Sequence, residues 1–144
     1  MDRETLNRFR SLHRELGYLK KEIEAEYYSV HAVRYDGIKY SSPDQRGSTL
    51  RALEKIEEKQ DLYNRLLTEY VEIWDQIDEW FEELDDLLAE SIVRCYYMVG
   101  KTWNETGRIV YGRNRVGETC RMYIYRLLKK EEKKDLEDPE ENEI

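Results

Sequence analysis

Eight basic residues lie between Gly100 and Lys130: Lys101, Arg108, Arg113, Arg115, Arg121, Arg126, Lys129 and Lys130. Only Glu105 and Glu118 oppose them, so the segment carries +6 in a chain of formal net charge -8. Guanidinium and ammonium groups at this density bind anions, and on an acidic chain they mark the surface that meets one. No nucleophile–base pair, phosphate loop, Cys/His metal set or dinucleotide fingerprint accompanies them. His13 and His31 lack a third ligand type nearby and read as structural. The chemistry is therefore binding rather than catalysis, with no cofactor and no metal.

The elements that position these charges follow from spacing. Leu84, Leu87, Leu88, Ile92, Cys95, Tyr96 and Val99 recur at helical intervals up to Gly100, a natural helix stop. Thr102 can cap the next helix, with Glu105 three residues on completing a capping box. That helix carries Trp103, Thr106, Gly107 and Val110, and Tyr111–Arg115 reads as a turn around Gly112 and Asn114. A last helix, 116–130, buries Cys120, Tyr123, Ile124, Leu127 and Leu128, with Gly117 a local weakness near its start. Three helices joined in this way predict a helix-turn-helix, in which the last helix enters the DNA major groove and the one before it crosses the backbone. The crossing needs a small residue, which Gly107 supplies.

The expected roles divide accordingly. Arg113 and Arg115, at the turn and helix start, meet phosphate, where free backbone N–H groups also point. Glu118, Arg121, Met122 and Tyr125 lie off the buried stripe; Arg121 suits guanine and Glu118 suits cytosine N4. Asn114 and Thr119 complete the surface at the start of the helix. Lys101, Arg108, Arg126, Lys129 and Lys130 are backbone contacts. Six phosphates neutralised on duplex DNA would give a log–log salt slope of about −5.

At Tyr96–Leu128 the chain resembles the sigma-factor region 4 helix-turn-helix, and more closely the ArpU and RinA type late-gene regulators of Gram-positive phages and prophages. Gly100, Lys101 and Trp103 match the family pattern before the turn. Gly107 stands where the family has Ala, Thr119-Cys120 stands for Thr-Val with Arg121 close behind, and Leu127-Leu128 stands for Ala-Leu. One departure is the segment Tyr111–Glu118, about three residues longer than the usual turn, which leaves the helix starting at Asn114 or at Gly117. The resemblance implies a sequence-specific, double-stranded DNA-binding transcriptional regulator of phage late genes in the cytoplasm of a bacterial host, with RNA polymerase a possible partner. Two other readings stand beside it: a DNA-packaging protein of the small terminase kind, and a protein-interaction module without DNA.

Ahead of the basic segment lies a long arm. Seven glycines, two prolines and abundant Glu, Lys, Arg and Leu point to an all-α chain. A first helix, 3–30, shows one apolar seam through Leu6, Phe9, Leu12, Leu16, Leu19, Ile23, Tyr27 and Val30, weakened at Gly17. Turn chemistry at Asp36-Gly37, Ser41-Ser42-Pro43-Asp44 and Gly47 predicts a loop, 31–47. A long helix, 48–90, repeats Leu53, Gln60, Leu67, Trp74, Phe81 and Leu88 every seven residues, with Ile56, Tyr63, Tyr70, Ile77 and Leu84 offset by three. This is an a/d seam that predicts a helical hairpin or coiled-coil arm, 1–90, and a homodimer formed through it. Tyr27, Tyr63 and Tyr70 fall on the seam, which favours packing over base stacking. The carboxylates of Asp75–Glu90 read as a solvated face. Cys95 and Cys120 read as reduced core residues. The segment 91–130 is the DNA-binding unit, and 131–144, at −6, is an acidic tail expected to fray. No apolar run is long enough for a membrane span, and Met1–Thr5 opens no signal peptide.

Overall fold

The computed structural model describes residues 1–36 and 43–141. Among these the chain is all-α, with five helices and no strand: α1 (Arg3–Asp36), α2 (Pro43–Leu84), α3 (Leu87–Val93), α4 (Trp103–Tyr111) and α5 (Gly117–Glu141). A π-helical turn, Arg94–Met98, prolongs α3. No helix among the described residues is long and apolar enough to cross a membrane. The chain forms two compact units, Arg14–Glu69 and Met1–His13 with Tyr70–Ile144.

In the unit Arg14–Glu69, Leu16, Val30 and Ile56 are buried. Lys59 Nζ sits 2.6 Å from Glu26 Oε1 and 3.6 Å from Glu22 Oε2, so one cation from α2 answers two carboxylates of α1. Only part of the expected seam is covered. Ile56 is buried and Tyr63 half-buried, but Tyr27, Leu53 and Gln60 are exposed. Here α2 has a single helical neighbour, α1, and the seam positions that this neighbour does not reach stay in solvent.

The unit built from Met1–His13 and Tyr70–Ile144 has a broader core. Leu6, Phe9 and Leu12 of α1 are fully buried, and Ile73, Ile77, Trp80 and Phe81 of α2 are nearly so. Phe9 stacks on Tyr70 with ring centroids 4.4 Å apart and meets Trp74 edge-on at 5.8 Å. Ile73 and Trp80 lie outside the seven-residue series. They are covered because several segments surround α2 here: Trp80 Nε1 donates to Glu131 of α5, and the Arg94 guanidinium lies 4.9 Å over Phe81. Ala89, Ile92, Val93, Tyr97 and Met98 complete the core with Cys120, Ile124 and Leu128 of α5. Cys95 and Cys120 are free, and burial raises both thiol pKa values.

Four boundaries differ from those read in the sequence. The first helix runs to Asp36 rather than residue 30, and the second begins at Pro43, so 31–36 and 43–47 are helical rather than loop. Proline suits the first turn of a helix, where its missing N–H costs nothing. The turn signals at Gly37, Ser41 and Ser42 lie outside the described residues. The long helix does not continue through residue 90. It ends at Leu84, Asp85 takes a left-handed φ of 47°, and Asp86 caps α3 by accepting from Ala89 N at 3.1 Å. Aspartate enters the left-handed region more readily than most residues and is a strong N-cap, so no glycine is needed. Finally, α5 continues past Lys130 to Glu141 in place of a frayed tail. Half-buried Glu131, bonded to Trp80, carries the packed part of the helix beyond the basic segment, and Glu132, Lys133 and Lys134 directly after it are good helix formers.

Candidate nucleic-acid interface

The basic segment is held by three short-range devices. The π turn closes with Val99 N donating to Arg94 O at 2.8 Å, and Gly100 at φ 87° turns the chain into α4. The expected capping box is formed: Glu105 N donates to Thr102 Oγ1 at 3.2 Å, and Thr102 N donates to Glu105 Oε2 at 3.4 Å. At the other end of α4, Gly112 adopts φ 69° and donates to Arg108 O at 2.9 Å, a left-handed C-cap that glycine enters without a Cβ clash.

The loop then runs Arg113–Val116, and α5 begins at Gly117, with Cys120 N donating to Val116 O at 3.2 Å. Of the two starts the sequence left open, this is the later. Arg115 takes φ 65°, a conformation costing a non-glycine residue about 1 kcal/mol. The helix-start glycine is not the weakness it resembles. A Cβ on Gly117 would lie 2.8 Å from both Asn104 N and the Trp103 carbonyl carbon, and one on Gly107 would lie 2.7 Å from Val116 Cγ2 and 3.0 Å from the Val116 carbonyl carbon. Each helix therefore presents a glycine to the backbone of the other segment, and α4 and α5 approach as closely as the chain permits.

This contact fixes which way α5 faces. Cys120, Ile124 and Leu128 point into the core, and Thr106 of α4 is buried beside Gly107. Glu118, Thr119, Met122, Arg126, Lys129 and Lys130 lie on the outer face, exposed. A shallow groove of about 570 Å³ runs along it, lined by Asp86, Glu118, Thr119, Met122, Tyr123, Arg126, Leu127 and Lys130. Asp86 also accepts from Tyr123 Oη at 2.6 Å, and that bond holds its carboxyl below the usual range.

The remaining expected contacts divide by environment. Lys101, Arg108, Arg113, Asn114 and Arg115 are exposed. Arg121 Nε donates to Glu118 Oε2 at 2.9 Å, and Nη2 donates to Glu118 Oε1. The bonds raise the guanidinium pKa and lower that of the carboxyl. Tyr125 is half-buried: it meets Trp103 edge-on at 6.5 Å, and its hydroxyl accepts from Arg3 Nη2 at 2.8 Å.

The sequence reading missed the contribution of α1. Arg3 lies with its guanidinium carbon 4.0 Å over the Tyr125 ring, and Arg10 lies 4.0 Å over Tyr96. Arg10 Nε also donates to Tyr96 O at 3.2 Å and Nη2 to Lys101 O at 3.3 Å. Between them, Tyr96 and Trp103 stack at 3.6 Å. These contacts span 86 to 122 residues of sequence, so no local signal announces them. No family model, no curated protein and no solved structure matches this chain.

Proposed function

We propose that α3, α4 and α5 form a helix-turn-helix that binds double-stranded DNA, and that the protein is a sequence-specific transcriptional regulator of the phage late-gene kind. The observation that carries this reading is the reciprocal glycine contact of α4 with the start of α5. It sets the basic outer face of α5 clear of the core, with Arg113 and Arg115 at its entry.

In this mechanism the outer face of α5 enters the major groove, and α4 crosses the phosphate backbone. Arg113 and Arg115 meet phosphate at the N-terminus of α5, where the helix dipole and free N–H groups add to their charge. Arg115 supports this role because an arginine occupies a left-handed position that glycine or asparagine would fill with less strain. Thr119 and Met122 face base edges. Arg121 is oriented by Glu118 through Nε and Nη2, which leaves the outer N–H groups of the guanidinium for guanine. The helices α1 and α2 serve as an arm for dimerisation or for contact with RNA polymerase.

The test is fluorescence anisotropy with short mixed-sequence duplexes across a salt series. Arg113, Arg115 and Arg126 have exposed side chains, so the triple alanine variant should bind roughly a hundredfold more weakly and flatten the salt slope by about 3. Absence of wild-type binding at low salt, or equal binding by the triple variant, would overturn the reading. A large closed ring of subunits in solution would favour a packaging protein instead.

A further inference from the structure

Three side-chain cations held against neighbouring side chains among the described residues meet carboxylates. Lys59 meets Glu22 and Glu26, Arg94 meets Glu90, and Arg121 meets Glu118. With 32 acidic residues against 24 basic ones, acids are in surplus. Arg3 and Arg10 make no ion pair among the described residues, although each is held in a defined place.

Arg10 has a structural explanation. Its N–H groups reach the carbonyls of Tyr96 and Lys101 at the C-terminal end of the α3 π turn, where orphan carbonyls and the helix dipole both favour a cation. Arg3 has no such explanation. One N–H reaches the Tyr125 hydroxyl, the rest of the exposed guanidinium is open to solvent, and Arg121 lies 5.3 Å from the centroid of the same ring. Two guanidinium groups around one tyrosine repel each other, and Glu118 offsets only one of them. An arrangement of this kind gains from an anion placed between or beside the two cations.

We infer that Arg3 is a DNA-backbone contact, carried by α1 to the edge of α5 and held on Tyr125 as a platform, so that the first turn of α1 belongs to the DNA-binding surface. The inference rests on the reading of α5 as the groove helix. It also reassigns Tyr125 from base contact to support for Arg3. The phosphate involved is that of duplex DNA lying along α5, since Arg3 flanks the outer face rather than closing a pocket.

Arg3→Gln removes the charge but retains an amide N–H for Tyr125, and Arg3→Lys retains the charge but loses the planar stack. Both are compared with wild type on mixed-sequence duplexes over a salt series, with thermal unfolding followed in parallel. Arg3→Gln should weaken binding roughly fivefold, equally for unrelated sequences, and make the salt slope shallower by about 0.9. Arg3→Lys should keep the wild-type slope. An unchanged slope in Arg3→Gln would overturn the inference, as would equal weakening by Gln and Lys in step with a lowered Tm, which marks a purely structural clamp. The Arg113/Arg115/Arg126→Ala variant separates the two levels. If it loses binding while Arg3→Gln binds like wild type, only the role of Arg3 fails; if wild type binds no duplex, the reading beneath it fails as well.

Discussion

Gly17 and Gly47 stand in the unit Arg14–Glu69, and a Cβ added at either would meet nothing within 4 Å. Gly107 and Gly117 stand at the meeting of α4 with the start of α5, and a Cβ at either would press on main-chain atoms at 3.0 Å or less. All four lie in helices, and a propensity scale charges each about 1 kcal/mol relative to alanine. The difference lies in what faces the missing side chain. In the long helices glycine only loosens the backbone. Where α4 meets α5, it lets two segments approach so that α5 keeps its basic face outward.

The largest effect is expected from Gly117→Ala. Its new methyl would lie 2.8 Å from two main-chain atoms of α4, which cannot swing aside as a side chain can. Overpacking of this kind costs about 3 kcal/mol, less a fraction regained from helix propensity. Urea unfolding should show the loss, and duplex binding should weaken because α5 is displaced. Gly107→Ala should cost less, about 1–2 kcal/mol, because its nearest main-chain atoms lie farther off, at 3.0 and 3.2 Å. A Gly117→Ala protein as stable as wild type would remove the close approach from the explanation of how α5 is set.

Asp86 sharpens the contrast through pH. Its carboxylate caps α3 and accepts from Tyr123 of α5, and the Tyr123 bond is the main reason its pKa lies below 3.8. A depressed carboxyl pKa adds stability that is fully present above the unfolded-state value and is lost as pH falls through the lower folded-state value. Asp86→Asn, which keeps a good cap, should cost about 1 kcal/mol at neutral pH. The gap from wild type should close as pH falls below about 3.8. Lys59, whose pKa is raised chiefly by its hydrogen bond to Glu26, behaves in the opposite sense. Its contribution persists at low pH until Glu26 protonates, and on the alkaline side it fades only as pH rises through the raised lysine value. A gap for Asp86→Asn that stays constant from pH 7 to pH 2 would show that the charge of Asp86 contributes nothing.

The same contrast explains what the sequence made legible. The Thr102–Glu105 box, the left-handed turns at Gly100 and Gly112 and the burial of Cys120, Ile124 and Leu128 all depend on residues one to four positions apart and appear as expected, whereas Tyr123 and Leu127 of the same expected stripe are only half-buried. The break after Leu84 was hidden because Asp85 and Asp86 look like two more acids on a solvated face. Gly117 was misread because its neighbours, Trp103 and Asn104, come from another helix. Arg3 and Arg10 were invisible for the same reason at greater range. The heptad pattern over-stated the buried surface of α2 in the unit Arg14–Glu69, since a seven-residue repeat names the side chains that could be covered and says nothing of how many neighbours cover them. Leu53 and Gln60 are exposed there, whereas Ile73 and Trp80 are buried outside the pattern where more segments converge.

The smallest expected effect tests the permissive half of the comparison. Gly17 lies in mid-helix with open space around it. Alanine there adds no clash, reduces the freedom of the unfolded chain and removes the propensity cost, so Gly17→Ala should stabilise the protein by about 0.5–1 kcal/mol. It should leave duplex affinity and salt slope unchanged, because Gly17 belongs to the unit Arg14–Glu69 and α5 does not. Thermal unfolding and the anisotropy titration read the two quantities separately. A fall in stability would mean that Gly17 faces a close neighbour in solution, a second copy packed on α1 being the simplest. The methyl group would then report on the dimer expected from the arm, with the loss growing as protein concentration rises through the dimer Kd.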